Sequence, residues 1–302
     1  MNMIVIGSIN MDIVMKVPRL PQKGETLMAD DYITVPGGKG ANQAVAAARL
    51  GSNVTMVGAL GIDAFGDTLL HKLQDENIAT AGIRRTGSAS GNALITVDYN
   101  GDNTILVYPG ANYDVTTAWI AEKEKLIHQA DWVMLQLEIP VSSVVATIKI
   151  AKKLEKKVLL NPAPAVMLSE DLYAMIDLIT PNETELRLLS GKKEIREGAA
   201  WMIDRGVKCV IVTLGIEGSF GMTKDQEMSV PAYPVQAVDS TAAGDAFNAA
   251  VIVALSEGNN LEDSMKFANA AGALTTTVMG AQRSLPSRAE LNQFLKQQAS
   301  DV

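Results

Sequence analysis

The sequence predicts an α/β fold: a doubly wound, mostly parallel β-sheet with helices on both faces, like a Rossmann core, and a small β-sheet lid. Short runs that are apolar throughout alternate with amphipathic or alanine-rich segments over most of the 302 residues. Parallel strands buried on both faces have this apolar character, and the intervening segments have helical spacing. Two further regions alternate apolar with polar residues without helices between them, which predicts the separate lid.

The elements of the main fold follow in chain order. The apolar runs predict strands at 3–6, 54–57, 132–135, 158–160, 178–179 and 210–213. Helical periodicity predicts connecting helices at 41–50, 65–74, 116–128, 141–154, 183–189 and 195–205. The last third predicts further helices at 246–256, 261–277 and 288–298, the last of which opens with a capping box of Ser287 and Glu290.

The lid is expected to contain four strands that lie within about 12–36 and 91–109. The second pair is joined across Asn100-Gly101, a strong hairpin turn signal. No long linker, repeat or low-complexity segment interrupts the chain, so 1–302 is predicted to be a single α/β domain. The predicted strand pairs are 13–17 with 26–35, and 92–97 with 104–108.

The composition excludes several function classes. The chain has only two histidines and one cysteine, His71, His128 and Cys209, so it cannot form a disulfide framework or a Cys/His zinc site, and Ser-His or Cys-His catalysis has few candidates. Cys209 is expected to be an inert, buried strand residue. The net charge of −8, from 26 Lys+Arg against 34 Asp+Glu, opposes nucleic-acid binding. Chemistry must come from carboxylates, backbone amides and glycines, with or without a hard metal ion.

The distribution of charge also bears on location. Residues 1–7 have the pattern of a strand rather than of a signal peptide. The longest stretch without a charged residue, 267–282, is too short and too polar to span a bilayer. We therefore expect no membrane partner and a cytoplasmic location.

The most informative segment is a turn of small residues at 238–248, VDSTAAGDAFN, which leads into a long apolar helix. It places the amides of residues 242–245 at a helix N-terminus, where free N–H groups and the helix dipole attract anions. Asp245 could there take a proton from a hydroxyl beside a bound phosphate. The alternative from the spacing alone is a tight turn in which Asp245 only stabilises the helix dipole.

A second glycine-rich segment, 37–44 GGKGANQA, is expected to let the backbone pass close to a ligand. Lys39 and Asn42 supply a cation and a hydrogen-bonding amide, which suit a polyhydroxyl ligand or a phosphate. No Ser or Thr follows the lysine, so the segment is not a Walker A loop. The alternative is a flexible hinge with a solvated lysine.

Polar residues follow several predicted strands, where ligands bind in doubly wound sheets. Asn10 and Asp12 come after the first strand and Glu138 comes after the third. These three residues could bind hydroxyl groups. The alternative is that they belong to ordinary polar turns.

Two segments further along the chain suit a nucleotide. Asn182 and Glu185 form a helix capping box, but Glu185 could also help to hold the water shell of a magnesium ion. The glycine loop at 213–218, TLGIEG, could cover the phosphates of a nucleotide. Each signal is weak when taken alone.

Six motifs follow one another along the chain in the order 7–12 GSINMD, 37–44 GGKGANQA, 161–164 NPAP, 182–185 NETE, 213–215 TLG and 239–245 DSTAAGD. In this order they resemble the ribokinase-like carbohydrate kinase family over 5–286. The last motif is highly specific for that family. The GGKGAN form, together with Asn10-Met11-Asp12, resembles the branch that phosphorylates ribose.

The resemblance implies a ribokinase-like fold and a role for each matched residue. The catalytic base would be Asp245, beside an anion hole of Ala242, Ala243 and Gly244. The sugar would be held by Asn10, Met11, Asp12, Gly38, Lys39, Gly40, Ala41, Asn42, Glu138 and Asp245. The nucleotide would be held by Asn182, Thr213, Leu214, Gly215, Ile216, Glu217, Gly218, Gly244, Asp245 and Asn269.

The resemblance also implies two metal ions. Glu185 would help to place Mg²⁺ through water, and the K⁺ site of the family would map to Asp239, Thr241, Thr275, Val278, Gly280 and Ser284. Two positions depart from the family pattern or vary within it. Ser240 stands where Thr is usual, and Asn269 lies at a position that varies.

The activity that the resemblance implies is transfer of a phosphoryl group from ATP to the 5-hydroxyl of D-ribose. The partners would be the sugar and ATP. Separately from the resemblance, a small exposed sheet offers open edges and an apolar face, which favours a homodimer paired through the lid sheet. One alternative is a kinase of the same family that acts on deoxyribose, fructose, a sugar acid or a nucleoside. Another is a non-catalytic sugar-binding protein on the same fold.

Overall fold

The structure is a computed structural model that describes residues 1–300; residues 301–302, which the predicted domain includes, lie outside it. The strands in this range are β1 (Asn2–Ile6), β2 (Asn10–Lys16), β3 (Asp31–Gly37), β4 (Asn53–Gly61), β5 (Ala79–Thr86), β6 (Gly91–Val97), β7 (Asn103–Tyr108), β8 (Trp132–Leu135), β9 (Lys157–Leu160), β10 (Leu178–Ile179), β11 (Cys209–Thr213), β12 (Ser219–Thr223) and β13 (Glu227–Val230).

Helices connect most of these strands. Within residues 1–300 they are α1 (Lys39–Arg49), α2 (Ala64–Asp75), α3 (Thr117–Ala121), α4 (Glu124–Gln129), α5 (Val141–Lys153), α6 (Glu183–Ser190), α7 (Ile195–Asp204), α8 (Ala243–Ser256), α9 (Leu261–Thr275), α10 (Ala281–Ser284) and α11 (Arg288–Ser300).

The main sheet has the strand order β13-β12-β11-β10-β9-β8-β1-β4-β5. The strands from β11 to β5 run parallel, and β12 and β13 add an antiparallel hairpin at one edge. The predicted doubly wound, mostly parallel sheet is confirmed. Ligands bind such sheets at the carboxyl ends of the strands. The polar residues that come directly after the predicted strands lie at these ends.

Helices pack on both faces of this sheet because successive strand side chains point to opposite faces. In β1, Met3 and Val5 join a core with α1, α2, α8, α9 and α11. Ile4 and Ile6 join the core on the other face, with helices α3 to α7. The sheet is therefore rigidly held between two hydrophobic layers, which fixes its carboxyl edge.

A separate four-stranded sheet in the order β3-β2-β6-β7 confirms the predicted lid. β6 and β7 form the predicted hairpin, whose turn is held by Asp98 Oδ1, an acceptor for the amides of Asn100 at 2.8 Å and Asp102 at 3.0 Å. The predicted strand 26–35 is too long, since pairing starts at Asp31. The chain before Asp31 is a loop that contains Pro18 and Pro21. Because proline cannot donate a backbone hydrogen bond to a strand ladder, the pairing does not extend into this loop.

Three other predictions differ from the structure. The sequence did not predict β5, β12 or β13, which lie at the two edges of the main sheet, where strands need not be apolar throughout. The predicted helix 116–128 is interrupted, because Lys123 N donates to the Ile120 carbonyl, a tighter turn that separates α3 from α4. Cys209 begins β11 and is half-buried rather than fully buried. Burial nevertheless raises the pKa of its thiol to about 12, which leaves it unreactive.

No helix in the described part of the chain, residues 1–300, is long and apolar enough to cross a membrane.

Candidate active site

A cleft of about 720 Å³ lies between the carboxyl edge of the main sheet, the lid and the first turns of α1 and α8. Its polar wall includes Asn10, Asp12, Lys39, Asn42, Glu138, Asn161, Thr180, Asn182, Glu185, Thr213, Asp239, Thr241, Asp245 and Asn248. Its lid wall is mostly apolar and includes Val14, Ile33, Val35, Ala93, Ile95, Val97, Ile105 and Val107. Most of the polar residues predicted to bind a sugar or a nucleotide thus meet in one place.

The first amides of α8 face this cleft. Ala242, the residue before the helix, has a left-handed backbone with φ of 63°. The N–H of Ala243 donates to the Ser240 carbonyl at 3.2 Å. Gly244 and Asp245 therefore carry the next amides, which have no acceptor inside the helix. With the positive end of the helix dipole, these amides make a site that stabilises an anion.

Asp245 is the third residue of α8, and only 6% of its surface is exposed. Its Oδ2 accepts a hydrogen bond from Asn42 Nδ2 at 3.0 Å, and its Oδ1 accepts one from Gln43 Nε2 at 2.9 Å. Burial raises the pKa of Asp245, and this effect outweighs the opposing effects of the Lys39 ammonium and the two amide donors. A carboxylate with a raised pKa at the wall of a cleft is suited to accept a proton.

Two glycines allow α1 to begin against the end of β1. Gly38 has φ of +88°, and a Cβ atom there would lie 2.8 Å from the Asn10 nitrogen. A Cβ atom on Gly40 would lie 2.7 Å from the carbonyl carbon of Gly7. Larger residues would force α1 away from the strand end, so these glycines bring Lys39 into the cleft.

Lys39 is the cation among the carboxylates of the cleft. Burial alone would lower the pKa of its ammonium group, but the charges of Asp245, Glu138 and Glu185 together outweigh burial and raise that pKa. Lys39 therefore stays charged at neutral pH and offsets part of the negative charge around it. The alternative of a solvated hinge lysine does not match the structure, since Lys39 is half-buried and lines the cleft.

Glu138 is held at the end of β8 by two donors. Its Oε2 accepts hydrogen bonds from the Ser8 hydroxyl and from the Lys39 backbone amide, the latter at 3.1 Å. The Gly40 amide in turn donates to Ser8 Oγ at 3.3 Å. Ser8 thus ties Glu138 to the glycine loop, a role that the sequence did not indicate.

Asp12 projects from the lid strand β2 into the same cleft. Burial, followed by the negative charges of Glu138 and Asp245, raises its pKa to about 7. Because this value lies above the usual value of 3.8, the folded protein binds the proton of Asp12 more tightly than the unfolded chain does. The free energy of unfolding therefore falls as the pH rises from about 4 to 7.

We expect Asp12→Asn to stabilise the ligand-free protein at pH 8, because it removes a buried charge that has like charges beside it. The gain should be about 1–3 kcal/mol in the free energy of unfolding and should shrink toward pH 4. Urea unfolding at several pH values measures it. Asp31→Asn, on an exposed residue of the neighbouring strand, is the control and should change stability little at every pH. A loss of stability for Asp12→Asn at pH 8 would contradict the assigned pKa.

Asn10 is oriented by a residue that the sequence did not indicate. Asn112, which is buried, accepts a hydrogen bond from the Ile9 amide at 2.9 Å through its Oδ1 and donates through its Nδ2 to Asn10 Oδ1 at 2.6 Å. Asn10 therefore presents its own Nδ2 donor to the cleft. Asn112 lies far from the predicted motifs and follows the lid, so no local pattern marks it.

The ends of β10 and β11 form the other side of the cleft. The capping box at the start of α6 is confirmed: Glu185 N donates to Asn182 Oδ1 at 2.8 Å, and Asn182 N donates to Glu185 Oε2 at 2.9 Å. Burial raises the pKa of Glu185, whereas the Asn182 amide and the Lys39 charge act in the opposite direction. Glu185 and Thr213 both line the cleft, so the cap does not exclude contact with a ligand.

The turn before α8 packs against the segment after α9. The amides of Val238 and Asp239 both donate to the Thr276 carbonyl, at 2.7 and 3.1 Å, and Gly280 N donates to Asp239 Oδ2 at 2.8 Å. Thr241 donates to Asp239 Oδ1 from its amide at 2.9 Å and its hydroxyl at 2.6 Å. Burial raises the pKa of Asp239, but these hydrogen bonds outweigh it and hold that pKa below its usual value.

Several predicted binding residues do not belong to the wall that the described residues form. Met11 and Ala41 are buried in the core, and Asn269 Nδ2 donates to two consecutive carbonyls at the end of β13, those of Val230 at 3.0 Å and Pro231 at 3.1 Å. Ile216 is 96% exposed. The others outside the wall are Gly40, Leu214, Gly215, Glu217, Gly218, Ala243, Thr275, Val278 and Ser284.

Within residues 1–300, no group of three or more His, Cys, Asp or Glu side chains is arranged to hold a metal ion. A divalent ion at this site would therefore need oxygen ligands from a bound molecule or from water.

Comparisons with known proteins agree with this geometry. The model of the pfkB family carbohydrate kinases matches residues 2–288. Over 298 residues the chain is 41% identical to a ribokinase of Haemophilus influenzae, with 97% of each chain covered. It is 38% identical over 302 residues to a deoxyribokinase of Salmonella typhi, covering 98% of this chain and 99% of the relative. The structure of Arabidopsis thaliana ribokinase complexed with ribose and ATP matches with a TM-score of 0.90 at 34% identity, covering 97% of this chain and 98% of that one.

Proposed function

Since the chain belongs to the pfkB family of carbohydrate kinases, we propose that it transfers the γ-phosphoryl group of ATP to the 5-hydroxyl of D-ribose, giving D-ribose 5-phosphate and ADP. The observation that carries the proposal is Asp245. This buried carboxylate lines the cleft at the start of α8, next to the backbone amides that stabilise an anion. A base beside an anion site is what phosphoryl transfer to a hydroxyl requires.

In the proposed reaction, Asp245 accepts the proton of the sugar hydroxyl as that oxygen attacks the γ-phosphorus. The bond from this phosphorus to the β–γ bridging oxygen breaks, and ADP leaves. The anion hole proposed for 242–244 stabilises the charge on the transferred group. The hydrogen bond from Ala243 N to Ser240 favours the amides of Gly244 and Asp245 as its main donors.

The proposed sugar site lies between the glycine loop and the lid. Asn10 offers its Nδ2 donor, and Asn42 offers an Oδ1 acceptor that is buried and has no hydrogen-bond partner among the described residues. Asp12 and Glu138 accept from hydroxyl groups, and Lys39 donates. The apolar lid wall would exclude water, which otherwise competes with the sugar for the phosphoryl group. We treat 1–302 as one kinase domain with β2, β3, β6 and β7 as its lid.

The nucleotide is proposed to lie across the ends of β10 and β11, over Asn182, Thr213 and the loop to Gly218. Support comes from the placement of Asn182, Thr213 and Gly244 in the cleft wall. Asn269 would act indirectly, by holding the end of β13 in place. Because ATP is supplied in the cytoplasm, we place the enzyme there.

Magnesium fits this site in one respect: Glu185 lines the cleft and uses one carboxylate oxygen, Oε2, as its helix cap. Its other oxygen is then available to the water shell of an ion that the ATP phosphates carry. Bound Mg²⁺ would neutralise charge on the ATP oxygens.

A potassium ion fits the turn before α8, where Asp239 is ionised and the surrounding groups are oxygen donors. The six proposed positions belong to segments that hydrogen bonds join, since Asp239 accepts from Gly280 and the Thr276 carbonyl accepts from Asp239. Bound K⁺ would supply positive charge beside the anion site. The hydroxyls of Thr275 and Ser284 already donate within their own helices, so carbonyl oxygens would supply most of the contacts there.

We propose a homodimer in which two lid sheets pack together. β7 is an exposed edge strand, and its apolar residues Leu106 and Tyr108 are 70% and 53% exposed. Tyr32 on β3, the opposite edge, is also exposed. An apolar sheet with two open edges needs a partner to cover it.

We expect the wild-type chain to be a dimer at micromolar concentration in multi-angle light scattering and Leu106→Glu to be a monomer, because the substitution places a charge in the apolar contact. Leu188→Glu is the matched control, since Leu188 is an exposed leucine on α6, which is not part of the lid sheet. It should remain a dimer. A monomeric wild-type chain would refute the proposed pairing, as would dissociation of both variants alike.

The nearest alternative is another sugar as substrate, and the comparisons make deoxyribose the foremost one, because the deoxyribokinase is nearly as similar as the ribokinase. A nucleoside is disfavoured because the lid wall has no Phe or Trp among its described residues. ADP release measured with ATP, Mg²⁺ and each of D-ribose, 2-deoxy-D-ribose, D-fructose and adenosine tests the proposal. D-Ribose should have the highest kcat/KM. Tight sugar binding without ADP release would instead indicate a binding protein.

A further inference from the structure

A chain of buried side-chain amides runs beneath the cleft and ends on Asp245. Gln43, on α1, has no exposed surface and stands at its centre. Its Nε2 donates to Asp245 Oδ1 at 2.9 Å and to Asn161 Oδ1 at 3.2 Å, and its Oε1 accepts from Gln136 Nε2. Asn161 Nδ2 then donates to the Thr180 carbonyl at 3.1 Å.

The donor and the acceptor of every hydrogen bond in this series of side-chain amides follow from the group at one end, the Thr180 carbonyl. The Thr180 carbonyl can only accept, so Asn161 must present its Nδ2 there and its Oδ1 to Gln43. Gln43 must then present its Nε2, which carries two hydrogens, to both Asn161 and Asp245. The arrangement leaves its Oε1 for Gln136. No flip of any amide preserves all of these hydrogen bonds.

We propose that Gln43 is a positioning residue for phosphoryl transfer: its amide, fixed by Gln136 and Asn161, holds the Asp245 carboxylate in the orientation and ionised form that takes the proton from the sugar hydroxyl. The inference rests on the proposed function, because it assigns Gln43 a role through Asp245. Gln43 itself is not part of the cleft wall in the described structure. It also assigns a role to Asn161 of the NPAP motif, which the proposed reaction does not otherwise use.

The physical reason is that a carboxylate at the wall of a cleft has two ways to fail as a base. Its plane can rotate, so that no lone pair points to the hydroxyl, or it can bind a proton. One amide donor on each oxygen, Asn42 on Oδ2 and Gln43 on Oδ1, opposes both. Gln43 has no freedom to rotate, because both ends of its amide are engaged.

Other charges also face Asp245, and they stay constant in the test. Lys39 on α1 favours the ionised form of the carboxylate, and Glu138 after β8 opposes it. Asp12 on β2 is coupled to the same carboxylate. A variant of Gln43 leaves all three unchanged, so a shift in pH dependence reports the lost amide.

The test compares Gln43→Met with Gln136→Met. Both substitutions replace a buried glutamine of the amide series with a side chain of similar shape. For Gln43→Met the acidic limb of the kcat–pH profile should move upward by about one pH unit, because one charge-assisted hydrogen bond to the carboxylate is lost. We expect kcat at pH 7 to fall about tenfold or more and KM for D-ribose and ATP to change less than about threefold. Gln136→Met should lose similar stability in urea but keep the wild-type acidic limb, since Gln43 still donates to Asp245.

The proposal is overturned if the Gln43→Met profile coincides with that of the wild type, or if Gln136→Met moves the limb equally far. Should Gln43→Met fail to fold, the side-chain amide resonance of Gln43 in ¹⁵N-labelled wild-type protein decides: it should titrate with the acidic limb, and a pH-independent resonance overturns the inference. Asp245→Asn is measured in parallel. Full activity of that variant would refute the proposed base itself, whereas its inactivity with an unchanged Gln43→Met profile refutes only the role of Gln43.

Discussion

Asp245→Asn is expected to lower kcat by at least about 10²-fold, and by up to about 10⁴-fold, the range that general base catalysis supplies. The substituted amide cannot accept the sugar proton. It also sets an N–H group against either the Asn42 or the Gln43 donor, since both oxygens of Asp245 accept. Steady-state ADP release with saturating ATP and D-ribose measures the loss.

Asp63→Asn is the matched control for this variant. Asp63 is also an aspartate at a helix N-terminus, where it caps α2 by accepting from the Gly66 amide at 2.7 Å. If carboxylates at helix starts only stabilise the dipole, the two variants should behave alike. We expect Asp63→Asn to keep near-normal kcat, and near-normal turnover by Asp245→Asn would show that the base is another group.

Lys39→Met is expected to lower kcat/KM for both substrates by about 10²–10³-fold, the cost of removing one electrostatic donor from an active site. The Lys39 ammonium group offsets the negative charges of Asp245, Glu138 and Glu185. When it is removed, these three carboxylates repel ATP more strongly. The acidic limb of activity should also move upward, because Lys39 lowers the pKa of Asp245. Kinetics with each substrate varied in turn measure both effects.

The control for Lys39→Met is Lys153→Met, on a lysine that pairs with Glu124 at the exposed surface, 3.0 Å away. Such pairs contribute little, so this variant should match the wild type. Circular dichroism and urea unfolding show whether Lys39→Met keeps its fold. A folded Lys39→Met variant within about threefold of wild-type kcat/KM would contradict the role of this cation.

An element of this fold can be predicted from the sequence when neighbouring residues in the chain encode it. The strand 132–135 and the capping box of Asn182 with Glu185 are confirmed because each is encoded by neighbouring residues. The edge strand β5 was missed because Arg84 and Arg85, on opposite faces of the strand, interrupt its apolar pattern. The lid was predicted from alternation, but not where its strand β3 begins.

The residues of the site likewise include some that a local motif predicts and others that only long-range contacts bring together. Asp245 and Lys39 stand in motifs that are typical of a phosphate turn and a glycine loop, and the structure brings both into one cleft. The amide chain through Gln43 and Gln136 could not be predicted, because it joins residues 93 to 202 positions apart. The only available signal was a polar residue directly after a buried strand, as at Gln136.

The most direct measurement is identification of the product. The purified chain is incubated with ATP, Mg²⁺ and D-ribose, and the phosphorylated sugar is analysed by ³¹P–¹H correlation NMR. The proposed function predicts one equivalent of ADP per sugar consumed and a single sugar phosphate whose phosphorus couples to the two protons on C5. A phosphate on another carbon, or ADP with free inorganic phosphate and unchanged ribose, would contradict it.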